Sequence, residues 1–312
     1  MRIKMFIAFF FLLIAQYGAA SGQTPQSKEK ASKNKYPEEG INMSGAFQDP
    51  ADLTARTSTA SSNVHMLAQE FDMGTLERRR KIWIYLPEGY ENSNKEYPVL
   101  YMHDGQNLFD KSTSFAGEWE VDETLDQLSE SQALELIVVG IENDGQQRMN
   151  EYVPYRLDKY DSRVEGAAYV QFITEVLKPY VDMNYRTLAD REHTGIMGSS
   201  LGGLISFYAS MEFEEYFGMA GVFSPSFELI DSEIRKEEII KPLRQTRVYL
   251  MCGDQESQEM VPEMQKIVKE MTDLGFEPDN ICTKVVKGGK HNEGLWLSEF
   301  ESAVRWLFKN ET

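Results

Sequence analysis

The chain predicts an α/β fold in which a mostly parallel sheet of about eight strands carries helices on both faces. Two observations support this prediction. Short apolar runs of strand length alternate with longer segments that have the apolar spacing of helices. One strand-to-helix junction, at residues 198–203, is a compact Gly-Ser-Ser-Leu-Gly-Gly turn. Strands that alternate with helices run parallel and bury both of their faces, which predicts one layered domain.

The predicted elements follow one another along the part of the chain that begins near residue 64. Met73-Gly74-Thr75 joins the first two strand-like runs, which predicts an antiparallel hairpin, whereas helical patterns separate most of the later runs. No internal repeat is visible, and the folded part suits one domain. The predicted strands are 64–71, 78–86, 98–103, 135–141, 193–197, 217–223, 247–253 and 280–287, and the predicted helices are 164–181, 201–212, 258–274 and 293–309.

The N-terminus has the three parts of a secretory signal peptide. Arg2 and Lys4 supply a positive start, residues 5–15 form a nearly unbroken apolar run, and small residues end at Ala20. The apolar run is shorter than a membrane-spanning helix requires. We therefore expect a signal peptide at residues 1–20 that is removed after Ala20, with an uncleaved anchor as the alternative.

Residues 21–62 are polar and poor in large apolar side chains, which predicts a flexible arm ahead of a folded catalytic domain at 63–312. Loss of the two basic residues of the signal leaves 30 Lys and Arg against 50 Asp and Glu, a net charge of −20. So negative a chain is a poor partner for nucleic acid or for an anionic membrane surface. The expected location is secreted or periplasmic, without membrane attachment after signal removal.

The two cysteines, Cys252 and Cys282, fall in successive predicted strands. Export permits a disulfide, but in parallel neighbouring strands the two positions would be offset by about three residues, or roughly 10 Å. Bridged Cα atoms lie within about 7 Å of each other, so we expect two unpaired thiols. No cluster of Cys and His has the spacing of a zinc site, and no cofactor is implied.

The turn after the predicted strand 193–197 reads as Gly-x-Ser-x-Gly with Ser200 at its centre. This pattern places a serine on a sharp strand-to-helix turn, where small neighbours such as Gly198 and Gly202 relieve backbone crowding. The pentapeptide alone also arises by chance in glycine-rich turns. The apolar strand before it and the apolar helix after it favour Ser200 as a nucleophile.

Of the four histidines, only His291 follows Ser200. It lies in a glycine-rich loop after the predicted strand 280–287, at the sheet edge where open α/β proteins bind ligands. Serine, then an acid, then histidine is a chain order that catalytic triads use. We therefore predict that His291 is the general base.

The acid of such a triad is expected between Ser200 and His291, at the end of the predicted strand 247–253. Both Asp254 and Glu256 lie there. Either carboxylate could accept a hydrogen bond from the imidazole, fix its tautomer and stabilise its charged form. From the residues alone, both candidates stay open.

With these residues, the chain resembles the putative-esterase family of α/β-hydrolases. That family includes feruloyl and acetylxylan esterases, S-formylglutathione hydrolases, enterochelin-type esterases and mycolyltransferases. The resemblance covers about residues 64–309. Besides the serine turn it rests on the segments 84–90, 98–109, 137–141 and 177–181, on Arg148 with Glu151-Tyr152, and on His291 with Trp296.

The resemblance implies the α/β-hydrolase fold and the hydrolysis of acyl esters without a cofactor. Acids of the family usually stand at the third position after the strand-end glycine, which is Glu256 here, and Asp254 is then the alternative acid. The chain departs from the commonest pattern at the oxyanion loop, where many members have His-Gly and this chain has His103-Asp104-Gly105. That departure leaves the role of His103 open.

Acyl transfer requires two backbone amides that point at the developing oxyanion. The residue after the nucleophile, Leu201, supplies one of them. By resemblance, Gln106, which follows Asp104-Gly105, supplies the other. An ordinary Asp-Gly turn is the alternative for this loop.

Four further residues near the predicted cleft have two interpretations each. Trp119 either contacts the substrate or begins a helix and packs in the core. Trp296 is expected in the core of the last helix rather than in contact with the substrate. Arg148 and Glu151 either pair to hold the loop 142–156 or line the cleft, and we favour the structural role.

The sequence therefore predicts a secreted serine esterase with Ser200, His291 and Glu256 as its triad and no cofactor. Secretion and resemblance favour small-molecule or polysaccharide esters, such as acetyl or feruloyl groups on plant polysaccharides. A siderophore-ester hydrolase is the alternative within the class. A non-catalytic carbohydrate-binding protein on a hydrolase scaffold is the alternative outside it.

Overall fold

The computed structural model describes residues 57–156, 163–229 and 245–309. All of the described residues belong to one compact unit. The predicted signal peptide and most of the predicted arm lie outside the described residues. Within the described ranges, no helix combines the length and the apolar character needed to cross a bilayer.

A mixed sheet occupies the centre of the described fold. Its strands are β1 (Val64–Met66), β4 (Ile82–Tyr85), β5 (Val99–His103), β6 (Ile137–Ile141), β7 (Thr194–Ser199), β8 (Met219–Phe223), β9 (Arg247–Gly253) and β10 (Ile281–Val286), and β2 (Phe71–Asp72) and β3 (Arg79–Arg80) form a separate ribbon. The order across the described sheet is β1-β4-β6-β5-β7-β8-β9-β10. Within this described sheet, β4 runs antiparallel to both of its neighbours, β1 and β6, and the other neighbouring strands pair parallel. The prediction of a mostly parallel sheet of about eight strands is confirmed.

Helices cover both faces of this sheet. They are α1 (Val121–Glu130), α2 (Arg148–Tyr152), α3 (Gly166–Phe172), α4 (Lys178–Asn184), α5 (Leu201–Glu212), α6 (Met260–Asp273) and α7 (Glu293–Leu307). Successive side chains of a strand point to opposite faces, so Tyr101 of β5 packs in the layer with α3, α5 and α6, whereas Leu100 packs with α1 and α7. Because both faces are covered, the central strands β5, β6, β7 and β8 are buried along their whole length.

Parallel pairing brings the ends of β7, β8, β9 and β10 to one edge of the sheet. The register aligns Ser199 with Phe223, and Val286 with Gly253. The loops that follow these four strands therefore leave the sheet side by side. This edge is where the chain places its predicted catalytic residues.

The two cysteines are unpaired, as predicted. Cys282 of β10 lies opposite Tyr249, and Cys252 of β9 lies opposite Val285, so the offset of three residues is the expected one. Burial is the main cause that raises the pKa of the Cys252 thiol to about 12. Cys252 is therefore a protonated, apolar core side chain rather than a reactive thiolate.

The last residues of the predicted arm are held against the domain. The hydroxyl of Thr59 donates to Glu118 at 2.8 Å, and the amide of Ser61 donates to Asp122 at 2.7 Å. These bonds connect the described C-terminal end of the predicted arm to the domain. Ser and Thr in a polar stretch predict an arm by composition, but here they are hydrogen-bonded to carboxylates near the start of α1.

A buried ion-pair network lies behind the segment 142–156. Glu151 is fully buried and contacts the guanidinium groups of Arg80 and Arg78. Arg148 pairs with Asp104 at 2.7 Å. Arg148 and Glu151 therefore have the structural role that the sequence favours. They do not pair with each other, because each forms its ion pairs with residues of other elements.

Replacement of Glu151 by Gln should destabilise the fold by about 3 kcal/mol, since it leaves the buried Arg80 charge with only the more exposed Asp144, at 3.7 Å, as a counter-charge. Urea unfolding followed by circular dichroism measures this change. The control is Glu142→Gln, whose partner Lys81 is 47% exposed, and it should cost no more than about 0.5 kcal/mol. Equal effects of the two substitutions would show that the buried network does not stabilise the protein.

Candidate active site

Ser200 lies in a strained turn between β7 and α5. Its backbone has φ 58° and ψ −121°, a combination that is rare for a residue with a side chain. Its amide donates to the carbonyl of Phe223 at 2.9 Å, and its carbonyl accepts from the amide of Ser226 at 3.2 Å. The neighbouring strand end therefore holds the strained conformation and leaves the serine side chain half-buried at the sheet edge.

Two glycines make this turn sterically feasible. A Cβ on Gly198 would lie 2.9 Å from the carbonyl carbon of Gly202, and a Cβ on Gly203 would lie 2.7 Å from the carbonyl oxygen of Phe223. A Cβ on Gly202 would meet nothing closer than 3.4 Å, which is an ordinary contact. The steric requirement falls on Gly198 and Gly203, whereas the sequence motif points to Gly198 and Gly202.

His291 is hydrogen-bonded to Glu256. The distance from Nδ1 of the imidazole to Oε2 of the carboxylate is 2.6 Å. The Glu256 side chain is 1% exposed and that of His291 is 38% exposed, so a buried acid holds a base that faces solvent. Asp254 does not contact the imidazole. Its Oδ1 accepts a hydrogen bond from the amide of Gly288 at 2.6 Å and so stabilises the loop that carries His291. Of the two candidate acids, the structure brings Glu256 to the histidine.

The second oxygen of Glu256 is held by a chain of donors that includes Ser224 and Trp296. The Ser224 hydroxyl donates to Oε1 at 2.8 Å, and the indole N–H of Trp296 donates to that hydroxyl at 2.9 Å. The amide of Gly253 also donates to Oε1. These bonds satisfy the buried carboxylate and leave Oε2 directed at His291. Trp296 lies in the core as expected, and its ring also contacts His291 edge-on at 5.2 Å.

The Ser200 hydroxyl lies 3.3 Å from the hydroxyl of Ser226. Among the described residues, no hydrogen bond joins it to His291. Catalytic hydrogen bonds are often loose in enzymes without substrate and tighten when the substrate binds. A rotation about the Cα–Cβ bond of Ser200 is the movement that would redirect the hydroxyl.

The two amides expected to hold an oxyanion lie at the beginnings of helical segments. Leu201 is the first residue of α5, and Gln106 is the second residue of the short 3₁₀ turn Gly105–Asn107. Amides at a helix start have no acceptor within the helix and are open to a ligand. The α5 dipole adds positive potential at Leu201. The Gln106 side chain is itself fixed, because its Oε1 accepts from the amide of Asn143 at 3.1 Å.

Asp104 and Arg148 connect the oxyanion loop to the serine turn. Asp104 has a left-handed backbone (φ 59°), and Arg148 donates to both of its carboxylate oxygens at 2.8 and 2.7 Å. The same guanidinium lies 3.4 Å from the carbonyl of Ser199. Burial raises the pKa of Asp104, but the charge and hydrogen bonds of Arg148 outweigh it and the pKa is lowered. The loop is therefore held by a permanently ionised pair.

His103 is buried under this loop and is not a candidate base. Its Nδ1 is 2.8 Å from the hydroxyl of Tyr169, and its ring packs 5.2 Å from that of Tyr152. Desolvation is the main cause that lowers the pKa of His103 to about 3. The imidazole is neutral near pH 7, and its place in the core gives it a structural role.

Trp119 lies in the core, which is one of the two positions that the sequence left open for it. Trp119 is 3% exposed and stacks on Phe223 at 5.3 Å. The exposed aromatic of the same segment is Phe115, at 55%. The Phe115 amide donates to Asn107 at 3.0 Å, and a Cβ on Gly117 would lie 3.1 Å from that of Glu293. The segment therefore bridges the oxyanion loop and the start of α7.

Residues 74–307 match the family model described as Putative esterase. The match covers most of the chain, and the chain belongs to this family. It is a carboxylic ester hydrolase with the α/β-hydrolase fold.

Two relatives have similar sequence identity to this chain but differ in how much of their own length the match covers. The chain is 27% identical over 243 residues to the uncharacterized protein YbbA of Bacillus subtilis, a match that covers 73% of this chain and 92% of that protein. It is 25% identical over 234 residues to an endo-1,4-beta-xylanase/feruloyl esterase of Xylanibacter ruminicola. That second match covers 72% of this chain but only 29% of the longer protein.

Among solved structures, the enterobactin esterase FES of Shigella flexneri, determined in the presence of enterobactin, has a TM-score of 0.66 to this chain. The alignment covers 80% of this chain and 60% of that one, at 18% sequence identity. Likeness at this level of identity shows the fold.

Replacement of Ser224 by Ala should lower kcat roughly ten- to hundredfold, because a hydrogen bond to a buried charged group contributes about 1.5–3 kcal/mol. KM should stay within about twofold, since Ser224 acts through Glu256 and not on the substrate. Steady-state kinetics with a soluble ester measures both constants. Ser298→Ala, which removes a hydroxyl bonded to the Leu295 carbonyl on α7, is the control and should leave kcat unchanged. An unchanged kcat in Ser224→Ala would remove this serine from the account.

Proposed function

We propose that the protein is a secreted serine esterase in which Ser200, His291 and Glu256 act as a catalytic triad. The observation that carries the proposal is the 2.6 Å hydrogen bond between His291 and the buried Glu256, at the same sheet edge as the strained Ser200. A base that is oriented by a buried acid, at the same sheet edge as a strained serine, is the arrangement that nucleophilic acyl transfer requires.

In the first half of the reaction, Ser200 turns from Ser226 towards His291 and attacks the ester carbonyl. Nε2 of His291 takes the hydroxyl proton as the new carbon–oxygen bond forms. The carbonyl electrons move to oxygen, and the amides of Leu201 and Gln106 donate to this oxyanion. When the tetrahedral intermediate collapses, the alcohol leaves with the proton from His291.

In the second half, water attacks the acyl-enzyme and His291 takes its proton. Collapse releases the carboxylic acid and returns the proton to Ser200. The Glu256 carboxylate stabilises the imidazolium in both halves and keeps Nδ1 as a donor. Because Ser224, Trp296 and Gly253 hold the other oxygen, Glu256 is pre-positioned and needs no reorganisation during the reaction.

We propose acyl groups on plant polysaccharides, acetyl or feruloyl, as the substrate class. The likeness to a xylanase/feruloyl esterase supports this choice, as does the exposed Phe115 on the segment between the oxyanion loop and α7. A flat apolar side chain there suits an aromatic acyl group by ring stacking. The signal pattern at residues 1–20 supports a location outside the cytoplasm, where such a substrate would be found.

Ser200→Ala should lower kcat at least a thousandfold while folding normally, because it removes the nucleophile. Ser199→Ala is the matched control one residue earlier and should lose far less. Hydrolysis of p-nitrophenyl acetate measures kcat, and a fluorophosphonate should label the wild type at Ser200 only. Absence of both turnover and labelling in the wild type would favour a binding protein on a hydrolase scaffold.

Glu256→Gln should cost at least tenfold more in kcat than Asp254→Asn, because only Glu256 bonds to the imidazole. Both changes remove one charge and keep the side-chain shape, so the pair is matched. The loss for Glu256→Gln should be smaller than for Ser200→Ala, since the base is retained. A larger loss for Asp254→Asn would move the acid to that position.

The substrate class is tested by kcat/KM for acetylated xylan, methyl ferulate, a catecholate siderophore lactone and S-formylglutathione. We expect an acetyl or feruloyl ester to be preferred. Phe115→Ala should lower kcat/KM for methyl ferulate about tenfold, and that for p-nitrophenyl acetate less than threefold, because only the larger aromatic acyl group reaches the ring. Preference for the siderophore lactone or for S-formylglutathione would overturn the polysaccharide proposal and leave the esterase class untouched.

A further inference from the structure

A cavity of about 500 Å³ opens at the edge of the sheet where β7, β8, β9 and β10 begin. Of its lining residues, His193, Gly218 and Asn280 directly precede β7, β8 and β10, and Arg247 is the first residue of β9. We call it the strand-start cavity. The six residues of β7 separate it from Ser200 by roughly 20 Å, so it lies apart from the proposed triad.

The strand-start cavity is positively charged in a chain whose net charge is −18. Among the described residues that line it, Arg191, Arg247 and Lys309 are cationic, and Glu192 is the one acidic residue. The Glu192 carboxylate lies 3.3 Å from Arg191 but is 61% exposed, and an exposed ion pair contributes little energy. Cations that are concentrated in a concave site, against the charge of the whole molecule, favour an anionic ligand.

The guanidinium group of Arg191 is held in place by neutral acceptors. Its Nε donates to the carbonyl of Glu214 at 2.7 Å, and its Nη2 donates to the hydroxyl of Thr246 at 3.0 Å. These bonds fix the plane of the guanidinium without neutralising its charge, and they leave further N–H donors on both terminal nitrogens. A guanidinium fixed in this way is suited to bind a carboxylate through two parallel hydrogen bonds.

Backbone hydrogen bonds through Gly218 fix the spacing of two of the cationic residues. The Gly218 amide donates to the carbonyl of Arg191 at 2.8 Å, and the Gly218 carbonyl accepts from the amide of Arg247 at 2.9 Å. A Cβ on Gly218 would lie 2.3 Å from the Arg191 carbonyl oxygen, so this close approach requires glycine. The backbone that carries both arginines is therefore held before a ligand binds, which lowers the entropic cost of binding.

The size of the cavity and its uncharged lining indicate the kind of anion. A volume of about 500 Å³ lies in the range of small-molecule sites and exceeds what an inorganic anion such as phosphate would fill. The lining also includes the amide side chains of Gln245 and Asn280. Amides both donate to and accept from hydroxyl groups. Cations together with amides suit a ligand that has a carboxylate and several hydroxyls.

We propose that the strand-start cavity binds an acidic sugar. Arg191, Arg247 and Lys309 attract its carboxylate, and the two amide side chains bind its hydroxyls. The anion site does not depend on the triad, whereas the choice of a sugar acid rests on the proposed polysaccharide substrate. A uronic acid side group bound here would hold the polysaccharide at a second place, away from the ester, and would raise the effective concentration of ester groups at the active site.

Isothermal titration of the full chain with a deacetylated xylo-oligosaccharide that bears glucuronic acid tests the site. This ligand has no ester, so binding is measured without turnover. We expect one site per chain and a Kd at least about tenfold lower than for a neutral xylo-oligosaccharide of the same length. Binding should weaken severalfold when NaCl is raised from about 0.05 to about 0.3 M, because salt screens the cations.

Two cavity variants and one control locate the binding. Lys309→Gln changes an exposed residue just after α7 and should raise Kd at least about fivefold, and Arg191→Gln should raise it at least about tenfold. Lys269→Gln removes the same charge from α6, where Lys269 is 74% exposed, and should bind as the wild type does. All three should keep the wild-type kcat for p-nitrophenyl acetate, and circular dichroism checks that they are folded.

Equal binding of the acidic and neutral oligosaccharides, or wild-type binding by Lys309→Gln and Arg191→Gln, would overturn the proposal. Inorganic phosphate that binds as tightly as the acidic oligosaccharide would overturn the choice of a sugar, because it would show a general anion site. A wild type that binds the acidic oligosaccharide at this cavity but does not hydrolyse p-nitrophenyl acetate would support the cavity and reject the proposed triad.

Discussion

The short loop Ser224-Pro225-Ser226 after β8 is the constraint on which the geometry of the site depends. The residue before it, Phe223, accepts from the amide of Ser200, and Ser226 donates its amide to the carbonyl of Ser200. Ser224 donates to Glu256 at 2.8 Å. The loop is itself strained, with φ 42° at Ser224, and is held by a 2.7 Å bond from that residue to the carbonyl of Met251. One tripeptide thus sets the distance between the nucleophile turn and the acid.

The three proposed catalytic side chains differ in how firmly they are held, and the difference suits their roles. Glu256 has both oxygens engaged and is nearly inaccessible, whereas His291 is anchored at Nδ1 and faces solvent with the rest of its ring. Ser200 has a fixed backbone and a hydroxyl that rests on Ser226. The orientations of Glu256 and His291 are therefore fixed. Of the three side chains, only that of Ser200 has to rotate, about its Cα–Cβ bond. A site built this way loses little energy to reorganisation when charge develops.

Much of the fold could be predicted from sequence because the signals are local. The spacing of apolar residues and the glycine-rich turns predict the parallel strands and the larger helices. Five consecutive residues are enough to predict the serine turn. Contacts between residues that are far apart in the sequence cannot be predicted from such local signals. Ser224 carries no motif, and the hydrogen bond that joins it to Trp296 follows only from the packing of α7 near the end of β8. Gly203 matters only because Phe223 lies opposite it, and Arg148 and Glu151 have partners on other elements. Trp119 could be assigned to the core only once α1 and α7 were packed together.

A crystal structure of the covalent adduct with a fluorophosphonate would test the proposed arrangement most directly. We predict phosphorus bonded to Oγ of Ser200 and a phosphoryl oxygen within about 3 Å of the amides of both Leu201 and Gln106. We also predict that His291 keeps its bond to Glu256 with Nε2 turned to the reacting centre. A phosphoryl oxygen directed to solvent, or a His291 that has left Glu256 for Asp254, would contradict this arrangement.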